Sequence, residues 1–257
     1  MRKGDLVYVA LNVVDYDIDG LMTQKDLWVK GIIVKEYPFQ HLYKIYIPTM
    51  GHTEKFFASQ VKKYQLCCDM DGVLCDFATG ALKLVNQTLA EKDKYKNTNP
   101  ELYDTIIKAL NEIETNQATF HDIRIGTPLK NLRKLLKDVC RHNEDFWANL
   151  DWVEGGKEVW DAIKNHDPYI LSAPMGMSKE SKACKIRWVK KHLNLPDSSI
   201  ILDDDKFNYT EFDGRTGVLI DDLGYNIGPY RKNGGIAIHH NPATVEETKQ
   251  LIEKYKD

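Results

Sequence analysis

A chain of 257 residues, 42% of them hydrophobic, can form one large domain or two of ordinary size and is too apolar to be mainly disordered. Its net charge of −3 excludes a protein that wraps nucleic acid with a surface of one sign, while leaving room for a local basic groove.

From Lys3 to Tyr64 the chain reads as short β-rich runs divided by turns: KGDLVYVALNVV, LWVKGIIVKEY, LYKIYIPTM and EKFFASQVKKY. Strands at such regular spacing predict a small barrel or sandwich over residues 1–63. Gly-Asp before a strand, Trp-x-x-Gly entering the next and the later Tyr-x-Ile-Tyr resemble SH3-like and Tudor-like barrels. Lys and Arg number nine here against seven Asp and Glu, too balanced to select nucleic acid, so the barrel's partner is left unassigned. Its first turn holds Asp15, Asp17, Asp19, Gly20 and Asp26, much of the spacing of a calcium loop. The strand-like flanks favour a solvated acidic turn instead.

After Tyr64 apolar runs alternate with helical periodicity, which predicts an α/β domain with a parallel sheet over residues 64–257. YQLCCD, PYILSA, SIILD, GVLID and GGIAIHH are its five expected strands. About ninety residues separate the first from the second, far more than a crossover needs. Amphipathic pieces such as ELYDTIIKALNEIE and PLKNLRKLLKDVCRH make residues 78–150 an inserted helical cap. Thr244 and Glu247 match a capping box at the start of a last helix. Cys67, Cys68, Cys75, Cys140 and Cys184, with no C-x-x-C pair, read as reduced thiols. MRKGDLVYVAL lacks the pattern of a secretory signal, and no run of about 18 apolar residues occurs. A soluble cytoplasmic protein is expected, with no membrane partner and with a homo-oligomer left open.

DMDGVL places Asp69 and Asp71 at the carboxyl end of a buried strand, where open α/β sheets bind ligands. DMDGVLCDF resembles the first motif of the haloacid dehalogenase (HAD) superfamily, and matches to the other motifs follow in order: Ser172 in YILSAP, a lysine, and the acidic pair Asp221-Asp222 in GVLIDD. Lys206 in IILDDDK and Lys185 in CKIRWVKKHL both qualify as the lysine; Lys206 holds the family position, and Lys185 is a second phosphate contact. The resemblance implies a Rossmann-like core and phosphoryl chemistry. Asp69 would be the nucleophile and Asp71 the acid and base. Mg²⁺ would be held by Asp69, the Asp71 carbonyl and the pair Asp221 and Asp222, with Ser172 and Lys206 on the phosphate.

The stretches DMDGVLCDF, FWANLDWVEGGKEVWDAI, KIRWVKKHL and IILDDDK with LIDD resemble the 5'(3')-deoxyribonucleotidases. That likeness implies a nucleoside monophosphate as substrate and places Phe77, Phe146 and Trp147 around its base. The family's Thr-Ser-Pro is Ser172-Ala173-Pro174 here, and its Arg-Asp-Lys is Asp204-Asp205-Lys206. One phosphate-contacting hydroxyl is thus absent at Ala173, and the nucleotide preference is open. Two alternatives are a phosphatase of nucleic-acid ends docked by the barrel, and a nucleotide sensor without catalysis.

Overall fold

In a computed structural model of the chain, residues 2–4, 6–16, 22–40, 42–57, 61–117, 127–141, 143–213 and 215–256 are described. Strands β1 (Leu6–Tyr16), β2 (Met22–Tyr37), β3 (Leu42–Ile47) and β4 (His52–Phe57) form an antiparallel meander, and β5 (Val61–Lys62) returns to pair with β1, giving the order β4-β3-β2-β1-β5. One face of this sheet buries Val7, Val9, Ile33, Ile45, Ile47, Phe56 and Val61, the alternation expected of strands with one apolar side. The β1–β2 ladder runs from Leu6↔Ile32 to Tyr16↔Met22, so strands flank the acidic turn. Asp17, Asp19 and Gly20 lie outside the described residues, as do the side chains of Asp15 and Asp26, and with them the calcium reading.

The second sheet takes β6 (Tyr64–Cys68), β7 (Tyr169–Ser172), β8 (Ile200–Leu202), β10 (Arg215–Asp221) and β11 (Ile236–His239) in parallel, in the order β11-β10-β6-β7-β8, with β9 (Glu211–Phe212) antiparallel on β10. These are the five strands expected from the sequence. Alternate residues of each face opposite layers. Cys68, Ile170, Val218 and Ile220 join the larger core, while Cys67, Leu171 and Leu219 pack with Ile227 and Tyr230 of a helix on the other side.

Helices α1 (Phe77–Ala90), α2 (Tyr95–Thr98), α3 (Pro100–Thr115), α4 (Lys130–Arg141) and α5 (Glu144–Ala148) fill the long segment after β6, and α6 (Gly156–Ile163) leads into β7. The remaining helices are α7 (Lys179–Leu193), α8 (Gly224–Lys232) and α9 (Val245–Ile252). Local chemistry sets the cap's helix starts: Asp76 accepts from Thr79 N at 3.0 Å, and Asn99 accepts from Leu102 N at 3.1 Å with Pro100 in the first turn. The stripe Leu132, Leu135, Leu136, Val139 and Cys140 of α4 is buried in the same apolar cluster as the sheet, so this helix shares a core with it. Among the described residues no helix is long and apolar enough to cross a membrane.

The expected capping box at Thr244 does not form. A 3-10 turn, Pro242–Thr244, precedes α9 and is capped by Asn241, whose Oδ1 accepts from Ala243 N at 3.0 Å. Thr244 Oγ1 turns back to the Asn241 carbonyl at 3.5 Å and makes no cap bond to α9. His239 and His240 have separate partners, as alternation along a strand requires. His239 Nε2 lies 2.9 Å from the Asp222 carbonyl and is exposed, while buried His240 pairs through Nδ1 with Thr248 at 3.0 Å.

Candidate active site

Except for Lys185, which lies within α7, the residues predicted for phosphoryl chemistry end a parallel strand or follow one: Asp69 and Asp71 after β6, Ser172 ending β7, Lys206 after β8, and Asp221 ending β10 with Asp222 next to it. The β6–α1 turn is closed by the Met70 carbonyl, which accepts from Leu74 N at 2.8 Å and Cys75 N at 2.9 Å. Gly72 sits in this turn with φ +78°, and a Cβ built on it would lie 2.3 Å from Asp222 Oδ2. Glycine therefore permits both the left-handed backbone and the approach of the acidic pair. Gly72→Ala is expected to cost about 1–3 kcal/mol, read as a lower melting temperature in EDTA. An unchanged melting temperature would show that the turn does not need glycine.

Asp69 and Asp221 are buried around the Lys206 ammonium, which lies 2.8 Å from Asp69 Oδ1 and donates to Asp221 Oδ2 at 2.6 Å. The contact to Asp69 Oδ1 is an ion pair, and among the described residues that oxygen has no other polar partner. Burial alone would push Lys206 down, but the flanking carboxylates outweigh it and hold the ammonium above the ordinary lysine range. Lys206 is thus a permanent cation.

Asp71 is the more accessible carboxylate, its side chain 26% exposed against 4% for Asp69. Lys185 is wholly buried and donates to Asp71 Oδ2 at 2.7 Å and to Ser172 Oγ at 3.0 Å. The Cys75 thiol, kept protonated by burial and the nearby Asp71 charge, donates to Asp71 Oδ1 at 3.4 Å. Each carboxylate of the first motif therefore has its own lysine.

The acidic pair divides its work. Asp221 accepts from Lys206, from Leu223 N at 2.8 Å and from Asn226 Nδ2 at 3.1 and 3.0 Å, which occupies both oxygens. Asp222 keeps a buried Oδ1 with no hydrogen-bond partner among the described residues, and burial with the charges of Asp69 and Asp221 pushes its carboxyl up to about 7. Oxygens of Asp69, Asp221 and Asp222 all lie within 4.8 Å of one another. An orphaned carboxylate oxygen beside a second carboxylate is a donor set that fits a hard divalent cation. Asp71's carboxylate stands apart from this cluster, on Lys185.

Phe77, Phe146 and Trp147 come together, but chiefly on one another. Phe77 and Trp147 stack at 4.9 Å between centroids and 25° between planes, and Phe146 meets both edge-on. Phe77 and Trp147 are buried, Trp147 Nε1 donates to the Cys140 carbonyl at 2.9 Å, and the Lys185 ammonium lies 4.8 Å from the Trp147 ring centre. Trp147 therefore packs on the site's lysine with Phe77 stacked on it, and Phe146, half-buried, is the more exposed ring. Ala173, directly after β7, is half-buried.

Two groups escaped the sequence. Asn226, on α8, saturates Asp221. Arg141 ends α4 with a buried Nε that has no partner among the described residues, and it stands against Gly176 in the loop after Ser172, where a Cβ would meet its Nη2 at 2.6 Å. Arg141 also lines a cap cavity of about 690 Å³ shared with Thr88, Tyr95, Glu101 and Asp138. That cavity contains none of the clustered carboxylates, whereas a smaller one of about 160 Å³ reaches Lys206 and Asn226. Chemistry rather than cavity size locates the site.

No protein-family model matches the chain, and no curated protein matches it by sequence. Among solved structures, a Bacillus subtilis protein described as a HAD-hydrolase and bound to magnesium is 14% identical, covering 74% of this chain and 99% of that one at a TM-score of 0.42. A Streptococcus pneumoniae hydrolase is 13% identical over 75% of this chain and 99% of its own, with a TM-score of 0.41. A Burkholderia xenovorans haloacid dehalogenase-like hydrolase is 11% identical over 68% and 80%, with a TM-score of 0.38. At such scores the likeness has no bearing on function, and the chemistry rests on the residues themselves.

Proposed function

We propose that this chain is a HAD-type phosphomonoesterase that hydrolyses small phosphate esters, with nucleoside monophosphates as the substrate class, and that residues 1–63 form a separate SH3-like barrel. The observation that carries the reading is the convergence of two carboxylates, a buried lysine, a hydroxyl and an acidic pair from four strand ends, with a second buried lysine from α7, onto one place. The meander with a fifth strand returning to the first supports the barrel.

Phosphate monoesters resist nucleophiles because their own oxygens repel them, so a carboxylate attacker needs cations around the phosphoryl group. Asp69 attacks phosphorus, the ester bond breaks, and an aspartyl-phosphate forms. Asp71 gives a proton to the departing alkoxide, then takes one from the water that cleaves the intermediate and releases inorganic phosphate. Lys206 holds Asp69 in place, while Lys185 and Ser172 offer donors to the phosphoryl oxygens. Asp69 and Asp222, with the Asp71 carbonyl, would hold Mg²⁺, which when bound neutralises charge on the phosphoryl group. Asp221 acts indirectly by fixing Lys206.

The testing experiment is a phosphate-release screen over nucleoside monophosphates and sugar phosphates, with Mg²⁺ and with EDTA. Mg²⁺-dependent release, best with nucleoside monophosphates, is expected. Release indifferent to EDTA would overturn the metal-assisted mechanism, and preference for sugar phosphates would overturn the substrate class.

A further inference from the structure

The outer face of the β2–β3–β4 sheet carries three rows of side chains set by register. Lys35 pairs with Lys44, and Lys44 with Lys55. On one side of this lysine row stand Tyr37, Leu42 and Phe57; on the other, Ile32, Tyr46 and Thr53. That the lysines share a face is shown directly: the ammonium groups of Lys35 and Lys55 lie 4.9 and 5.3 Å from the centre of the same Tyr37 ring. Phe57 is 60% exposed, Tyr46 37% and Ile32 36%, so the rows bordering the lysines present apolar and aromatic surface to solvent.

The acids of these strands face the other way. Glu36 is opposite Tyr43, and Glu54 opposite Ile45, on the side that carries the buried cluster. Among the described residues none of the three lysines has a carboxylate partner. Like charges directly across strands destabilise a sheet; the shared Tyr37 ring offsets this for Lys35 and Lys55, but among the described residues Lys44 has no such contact. Neighbouring strands are about 4.8 Å apart, so the row spans roughly 10 Å, the scale of a few phosphates.

We propose that this face binds single-stranded nucleic acid, with the lysine row on consecutive phosphates and Tyr37, Tyr46 and Phe57 stacking on bases. Charge complementarity selects a polyanion. Exposed aromatics on both sides of the cations select one with stackable rings over a bare anionic surface. Base edges find no array of amide side chains among the nine grid positions, so little sequence preference is expected. The inference stands apart from the phosphatase reading, since no grid residue belongs to the catalytic cluster.

The test uses the full chain in EDTA and a fluorescein-labelled, phosphate-free-ended oligothymidylate or oligouridylate, followed by anisotropy. Three phosphate contacts predict a log–log salt slope of about −2, hence roughly twentyfold weaker binding at 200 mM than at 50 mM salt. Changing Lys35, Lys44 and Lys55 together to Gln should weaken binding at least about tenfold and leave the melting temperature unchanged or higher, because it removes repulsion. If the triple variant fails to fold, Lys44→Gln alone carries the same test. Tyr46→Ala should weaken oligonucleotide binding about fivefold or more but leave inorganic polyphosphate binding unchanged. Absence of binding at 50 mM salt, equal binding by the lysine variant, or equal effects of Tyr46→Ala on oligonucleotide and polyphosphate would overturn the proposal. So would preference for phosphatidylserine vesicles over the oligonucleotide, which would mark the face as a membrane contact.

Discussion

Asp69→Asn is expected to lower phosphate release by roughly 10⁴-fold or more, for every substrate alike, because no neighbouring group can replace the attacking oxygen. The fold should survive the change. Asn fits the same space, and Lys206 retains Asp221 as a 2.6 Å partner. Asp71→Asn should behave differently. Its loss removes proton transfer worth about 10²–10⁴-fold from ester cleavage with an alkoxide leaving group, but much less from the first-turnover release of p-nitrophenol from p-nitrophenyl phosphate, whose leaving group needs little protonation; hydrolysis of the intermediate is slowed alike for both substrates. The contrast separates nucleophile from acid in one pair of assays. Turnover retained by Asp69→Asn, or an equal loss of first-turnover leaving-group release on both substrates for Asp71→Asn, would remove the assigned roles.

Asp222→Asn is expected to stabilise the metal-free protein while abolishing its response to Mg²⁺. Among the described residues Asp222 keeps an unpaired buried oxygen, one of its oxygens lies within 4.8 Å of two other carboxylates, and a neutral amide of the same shape relieves that repulsion. Each kcal/mol gained should raise the melting temperature by about 2–4 °C in a chain of this size. Mg²⁺ at a hundred times its dissociation constant should stabilise the parent protein by about 2.7 kcal/mol and leave the variant unmoved. Calorimetric melting in EDTA and in Mg²⁺ reads both effects without relying on activity. A variant that melts lower than the parent in EDTA and still gains stability from Mg²⁺ would show that the cation is held elsewhere.

Some features were legible because they are local. Buried parallel strands are short apolar runs, so YQLCC, YILS, IIL, GVLID and IAIH could be read directly, and the catalytic residue types stand at their carboxyl ends. Helical periodicity exposed α3 and α4 for the same reason. Local spelling misled where a competing local bond existed: Thr244 has the letters of a capping box, but the Asn241-capped turn before it draws the hydroxyl away.

The sequence by itself determined which segments become the parallel strands, the long helical segment between the first two and the residue types at the strand ends, because each follows from periodicity or from position at a strand end. Tertiary structure decided which chemically identical groups do what. Asp221 and Asp222 are indistinguishable as letters, and only packing gives one its full set of donors and leaves the other an orphaned oxygen. The sequence offers Lys206 and Lys185 for a single lysine position, and only the fold carries Lys185 across 114 positions to Asp71 and Lys206 to Asp69. Phe77 and Trp147 read as a place for a ligand's ring and turn out to pack on each other. The lysine row depends on one extra residue: the register shift between Ile33 and Lys35 sets Lys35 opposite Lys44, where uninterrupted pairing would have set it opposite Tyr43 on the buried side. Side chains along a strand alternate, so a single bulge reverses the face of all that follows, and that reversal exists only once the strands have paired.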